Sequence, residues 1–231
     1  MVAAATGAKL TQAEAELWCH TFGYLKSTAL RCAINLGIPT AIHRLGGATS
    51  LSELHAALPV APTKRLCLSR IMTFLSTSGI FTEETMIQQE EADPRYHLTT
   101  ASRLLVDDDT TIASRTSCVS QLLTLCSSPL YFTASQNLAA WLKEEDDGAA
   151  AKARTPFAMA HNEGFYEVVR RDVAFGACFD EAMASDSRFV SEILVREYYG
   201  EVFAADGVRS VVDVGGHNGT TARAIARRSR T

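Results

Sequence analysis

Apolar positions at the start of the chain follow a helical repeat. Leu17, Trp18, Phe22 and Leu25 gather on one side of it, and Thr11-Gln-Ala-Glu14 ahead of them is a capping box that predicts the helix start. A second apolar run through Ala29, Leu30, Ala33, Ile34 and Leu36 predicts a helix stopped by Gly37 and Pro39. Two such helices carry more apolar surface than one small core requires. Core packing and a dimer interface would each use it.

From Ala41 the elements shorten. Ser50-x-x-Glu53 opens a helix through Leu54 and Leu58, and Pro59 and Pro62 break it off. Thr63 then predicts the cap of a helix with Leu66, Ile71, Met72 and Leu75 inward, and Gly79 its stop. Ile80–Thr82 and Arg95–Leu98 read as strands around a polar loop, Glu83–Pro94. Three helices and a long-tipped hairpin make a winged-helix pattern. The third helix bears Lys64, Arg65 and Arg70, which suit either DNA or solvent. Glu83, Glu84, Glu90, Glu91 and Asp93 on the hairpin would repel phosphates, so no nucleic-acid partner is expected.

Further helices run through Leu122, Leu123, Tyr131, Phe132 and Trp141, and Glu144–Gly148 reads as an acidic surface loop. Phe175, Phe179 and Met183 fall four apart and share a helix face, which could serve a core or a flat apolar ligand. Asp186 and Ser187 read as the start of another helix through Phe189, Ile193 and Leu194, as caps or as polar contacts to a cofactor. Ser210-Val-Val-Asp-Val214 then has the composition of a strand buried on both faces. Gly215-Gly-His-Asn-Gly219 and the helical Thr220–Ala226 follow it. Strand, glycine turn and helix amino terminus form the arrangement in which backbone approaches a nucleotide closely. The glycines lack the G-x-G-x-x-G spacing, which argues against a dinucleotide.

Composition narrows this little. The 231 residues are 47% hydrophobic with a formal net charge of −4, an ordinary globular balance without a basic footprint. The six cysteines are scattered, with no Cys-x-x-Cys pair and no zinc spacing, so reduced thiols and no metal are expected. The amino terminus lacks a secretory pattern, and no run approaches the roughly 20 apolar residues of a membrane span. A cytoplasmic protein without a membrane partner is the expectation.

The order of motifs is more specific than any one of them. VVDVGGHNGTTARAIA resembles the first cofactor motif of plant S-adenosylmethionine-dependent small-molecule O-methyltransferases of the caffeate and flavonoid type. LWCHTFGYLKSTALRCAINLGIPTAI resembles that family's dimerisation helices. TSLSELHAAL, RLCLSRIMTFLSTSGIF and YHLTTASRLL resemble its winged-helix section, and TPFAMAHNEGFYE and FDEAMASDSR resemble segments lining its phenol pocket. The resemblance covers nearly the whole chain. It implies a mostly α fold in three parts. Residues 1–110 would form a dimerisation and winged-helix domain, 111–205 a helical substrate-pocket segment, and 206–231 the opening β-α unit of an incomplete Rossmann-like domain.

By the same resemblance, Gly215, Gly216, Gly219, Ser187 and Asp213 would bind S-adenosyl-L-methionine, and Met159, His161, Phe175, Phe179 and Met183 would bind a phenolic small molecule. A homodimer through the amino-terminal helices is implied. His217 stands where the family commonly has a third glycine. The acidic residue that grips the ribose, roughly 20 residues beyond the turn, and the family's general-base histidine would lie past Thr231, so no catalytic residue is assigned and unaided catalysis is not expected. Two functions follow as expectations: methyl transfer to a phenol, and a non-catalytic dimerisation module pairing with a full-length relative.

Overall fold

A computed structural model describes residues 6–84, 93–108, 118–145, 154–203 and 208–229. The chain divides into two compact units, Met1–Thr99 and Thr100–Thr231.

The first unit begins with α1 (Gly7–Phe22) and α2 (Tyr24–Asn35). Helix α1 starts a turn earlier than its capping box predicts. Thr11 lies inside it and donates its hydroxyl to the Gly7 carbonyl at 3.1 Å. None of its residues is buried; Leu17 is 67% exposed, and Trp18 stacks on Phe22 with centroids 5.4 Å apart. Gly37 takes a left-handed φ of 70° and stops α2 as expected. Pro39 does not end that helix but sits in the first turn of α3 (Ile38–Arg44), where its missing N–H costs nothing.

Strand β1 (Ala48–Ser50) leads into α4 (Leu51–Ala57). The Ser50–Glu53 capping box forms in both directions: Glu53 N–H donates to Ser50 Oγ at 3.2 Å, and Ser50 N–H to Glu53 Oε2 at 2.8 Å. That backbone bond is the first cause holding the Glu53 carboxyl below its ordinary value, ahead of the serine hydroxyl. Thr63 lies in a 3-10 turn (Pro62–Lys64) and caps nothing; α5 (Arg65–Thr77) follows. Leu68, Met72 and Leu75 are its buried positions, whereas Leu66 points to solvent. The period sets the inner face at 68-72-75, and Leu66 falls off it.

Strands β2 (Phe81–Glu84) and β3 (Arg95–Leu98) pair antiparallel with Phe81 opposite Leu98, and β1 pairs with the other edge of β3. The sheet order is β1-β3-β2. Phe81, Tyr96 and Leu98 close the core over Ile38, Ile42, Leu54, Met72 and Leu75. Glu90 and Glu91 lie outside the described residues. Asp93 is not a free repulsive charge. It accepts from Ser52 N–H at 2.8 Å and pairs with Arg65 at 2.9 Å, joining the starts of α4 and α5 to the entry of β3. Burial alone would raise its carboxyl; hydrogen bonds from Ser52 and the Arg65 charge bring it below the ordinary value.

The second unit is helical among its described residues: α6 (Thr100–Arg103), α7 (Ser120–Cys126), α8 (Pro129–Ser135), α9 (Leu138–Trp141), α10 (Pro156–His161), α11 (Phe165–Arg171), α12 (Val173–Glu197), α13 (Tyr199–Val202) and α14 (Thr220–Arg228). Glu144, at the start of the acidic stretch, pairs with Arg154 at 3.7 Å. Residues 208–214 form no strand. Val211, Val212 and Val214 are 50%, 82% and 91% exposed, with no ladder partner among the described residues. All six cysteines are free. No helix among the described residues is long and apolar enough to cross a membrane.

Candidate functional site

Helix α12 is the spine of the second unit. Asp172 caps it, accepting from Phe175 N–H at 3.0 Å, and it runs unbroken for 25 residues. Asp186 and Ser187 therefore do not start a helix. Between Met183 and Phe189 no glycine or proline breaks the helix. Gly176 is needed where α11 turns into α12: a Cβ there would come to 2.6 Å from the Val169 carbonyl.

One face of α12 carries Phe175, Phe179 and Met183, all half-buried. The ring that unites this region is Phe165, at the start of α11. Its centroid lies 5.3 Å from Phe179, 6.0 Å from Phe175, 5.4 Å from Phe157 and 5.7 Å from Tyr131. Most of these pairs are edge-to-face, the geometry that the ring quadrupoles favour. His161 joins through Phe157 at 4.5 Å, and its Nε2 lies 2.9 Å from the Leu130 carbonyl. A carbonyl can only accept, so Nε2 carries the proton there. Met159 and Met183 stand half-buried on α10 and α12. Burial pushes the Tyr131 phenol up, with Cys126 and Tyr166 adding to it. The sequence places Tyr131 on a helix and Phe165 within the segment TPFAMAHNEGFYE but singles out neither, because neither belongs to the stripe on α12.

The adjacent face of α12 meets the glycine turn. Asp180, Ser187 and Ser191 recur at helical spacing on this side. Asp180 Oδ1 accepts from His217 Nε2 at 3.1 Å, and Ser191 Oγ lies 3.0 Å from Thr221 Oγ1 at the start of α14. Ser187, half-buried, sits between these two anchors. Within the turn Gly215 and Gly219 both take φ of 74°, and His217 takes 45°. A side chain in that left-handed region costs roughly 1–2 kcal/mol.

Gly216 leaves bare backbone beneath the Asp213 carboxylate, which a Cβ would overlap. Asn218 Oδ1 accepts from Thr220 N–H at 3.1 Å, and Arg223 Nη1 donates to the Asn218 carbonyl at 2.6 Å. The first bond within α14 runs from Arg223 N–H to the Gly219 carbonyl. Gly219 and Thr220 N–H are bonded to the Gly216 carbonyl and Asn218 Oδ1, so the Thr221 and Ala222 amides are the ones left at the helix end. The outward amides and the Arg223 guanidinium suit a small anionic group, whereas the Asp213 carboxylate over Gly216 suits a cationic one.

Comparison with known proteins agrees in order along the chain. The family model of the O-methyltransferase dimerisation domain matches residues 18–108, and that of the O-methyltransferase domain matches residues 136–229. The chain is 41% identical over 225 residues to the 5-pentadecatrienyl resorcinol O-methyltransferase of Sorghum bicolor, covering 94% of this chain and 58% of the relative. It is 39% identical over 219 residues to the trans-resveratrol di-O-methyltransferase of Vitis vinifera, covering 95% and 57%. The chain thus spans little more than half the length of these relatives. Among solved structures, CalO1, a methyltransferase of calicheamicin biosynthesis in its SAH-bound form, shares the fold at a TM-score of 0.67 and 23% identity, over 94% of this chain and 56% of that one.

Proposed function

We propose that this chain, which belongs to the O-methyltransferase family, serves methyl transfer from S-adenosylmethionine to a phenolic hydroxyl. The observation that carries the reading is the two-faced helix α12. One face joins the aromatic cluster around Phe165, and the next is bonded to the glycine turn through Asp180 and to the start of α14 through Ser191. A flat acceptor and a methyl donor bound there would lie on neighbouring faces of one rigid element, as oriented transfer requires.

Gly215, Gly216 and Gly219 would hold the methionine end of the cofactor, with polar contacts from Ser187 and Asp213. The bare backbone at Gly216 supports this fit. Bound there, the cofactor supplies an electrophilic methyl group. Phe175, Phe179, Met183, Met159 and His161 would hold and orient the phenol ring and exclude water from it. No residue of this chain is assigned as the base that takes the phenol proton. We read the first unit as a winged-helix dimerisation module. Its order β1-β3-β2, and the structural role of Arg65 and Asp93, support packing over DNA contact.

The test is a chimera joining this chain to the portion of the Sorghum bicolor relative that it does not match, assayed for transfer of labelled methyl to a resorcinol. Transfer is expected from the chimera and none from this chain alone. A folded chimera that binds S-adenosylhomocysteine yet transfers nothing overturns the reading.

One observation favours the second reading, a dimerisation module. Helix α1 buries none of its own residues and presents Leu17, Trp18 and Phe22 to solvent. As a non-catalytic module pairing with a full-length relative, the chain mixed with the Sorghum bicolor relative should give a mixed dimer in light scattering; no mixed species at any ratio removes that reading.

A further inference from the structure

We propose that His217 is a positioning residue: through Asp180 it fastens the glycine turn to the helix that carries Phe175, Phe179 and Met183. The turn's backbone alone offers no reason for a side chain at this position. His217 sits at φ 45°, where a glycine would be at ease. What the imidazole gains is a bond to Asp180, 37 residues away, next to the pocket ring of Phe179.

A second bond, Ser191 Oγ to Thr221 Oγ1 at 3.0 Å, fastens the start of α14 to the same face of α12. Asp180 and Ser191 are three helical turns apart, about 16 Å along the axis. Helix α14 is thus held at one end of this face and the turn at the other. Without His217 the turn keeps its internal bonds: Thr220 N–H and Oγ1 donate to Asn218 Oδ1, Gly219 N–H to the Gly216 carbonyl, and Arg223 Nη1 to the Asn218 carbonyl. Those shape the loop but do not place it against α12. The consequence is that the turn and the aromatic face move as one body.

Only the ligand arm of the test rests on the cofactor reading above. Hydrogen–deuterium exchange over residues 213–219 is compared in the full chain and four variants. His217→Gly relieves the backbone and removes the bond. His217→Asn tolerates the left-handed backbone but is too short to reach. His217→Gln keeps both the strain and a donor at the same number of bonds from Cβ. Asp180→Ala removes the acceptor from an exposed site.

The expected result is that the Gly, Asn and Ala variants exchange about two- to five-fold faster at the turn, the scale of an exposed pair, while Gln matches the parent. Unchanged or slower exchange in His217→Gly, as strain relief alone would give, overturns the proposal. Titration with S-adenosylhomocysteine separates the two readings. If the parent binds none, the cofactor reading fails and the exchange data still decide the role of His217. If it binds, His217→Gly should bind several-fold more weakly and His217→Gln should not; equal binding by all three overturns the proposal.

Discussion

Strand β3 and the segment 208–214 are both short and both carry side chains that favour sheets, yet only one is a strand. Strand β3 has partners on both edges, β1 and β2, and buries Tyr96 completely. The valines at 211, 212 and 214 have no ladder partner among the described residues and lie largely in solvent. The contrast shows that a strand of this length is conferred by what pairs with it and covers it, more than by its own residues. The glycine turn and α14 form beside the bare valines because their bonds are local, from Asn218, Gly219 and Arg223. In this chain the second unit has its own buried positions, such as Leu125, Val168 and Ala182, yet the candidate cofactor turn sits next to its least covered segment.

That contrast can be broken at both ends. Met72 is 0% exposed, so Met72→Ala should cost about 2–5 kcal/mol of the first unit's stability in urea unfolding. Ser50→Ala removes a formed capping box and should cost about 0.5–2 kcal/mol by the same measurement. Arg65→Ala should cost at most about 1 kcal/mol, since both partners of its ion pair are partly exposed.

The Asp93 bonds also give the first unit an acid dependence. A carboxyl held low in the folded protein binds fewer protons than in the unfolded chain. Its contribution is therefore complete above the ordinary value of 3.8 and is lost as pH falls through the depressed folded value. Urea midpoints should decline over that window, and Asp93→Asn should flatten the decline. The smallest effect belongs to the other region: Val212→Ala, at 82% exposure, should shift stability by no more than about 0.5 kcal/mol. A loss comparable to Met72→Ala would mean that the valines are covered in solution.

Much of the first unit was legible because its signals are local. The Ser50–Glu53 box, the bounds of β3 and the left-handed stops at Gly37 and Gly79 can each be read within a few residues. Strand β1 was missed, since three residues carry no alternation to detect. Thr11 and Thr63 show the opposite failure, cap chemistry at positions where the chain does not begin a helix. In the candidate site the stripe on α12 was visible by its period. Phe165 and the His217–Asp180 bond were not, because side chains tens of residues apart meet only once the helices have packed.

The central claim, that the glycine turn against α12 receives a methyl donor, is tested most directly by isothermal titration of the chain with S-adenosylhomocysteine, with NAD as the control. Saturable one-to-one binding of S-adenosylhomocysteine is expected, abolished by Gly216→Val, with no heat from NAD. A flat S-adenosylhomocysteine titration, or binding that Gly216→Val leaves intact, would contradict it.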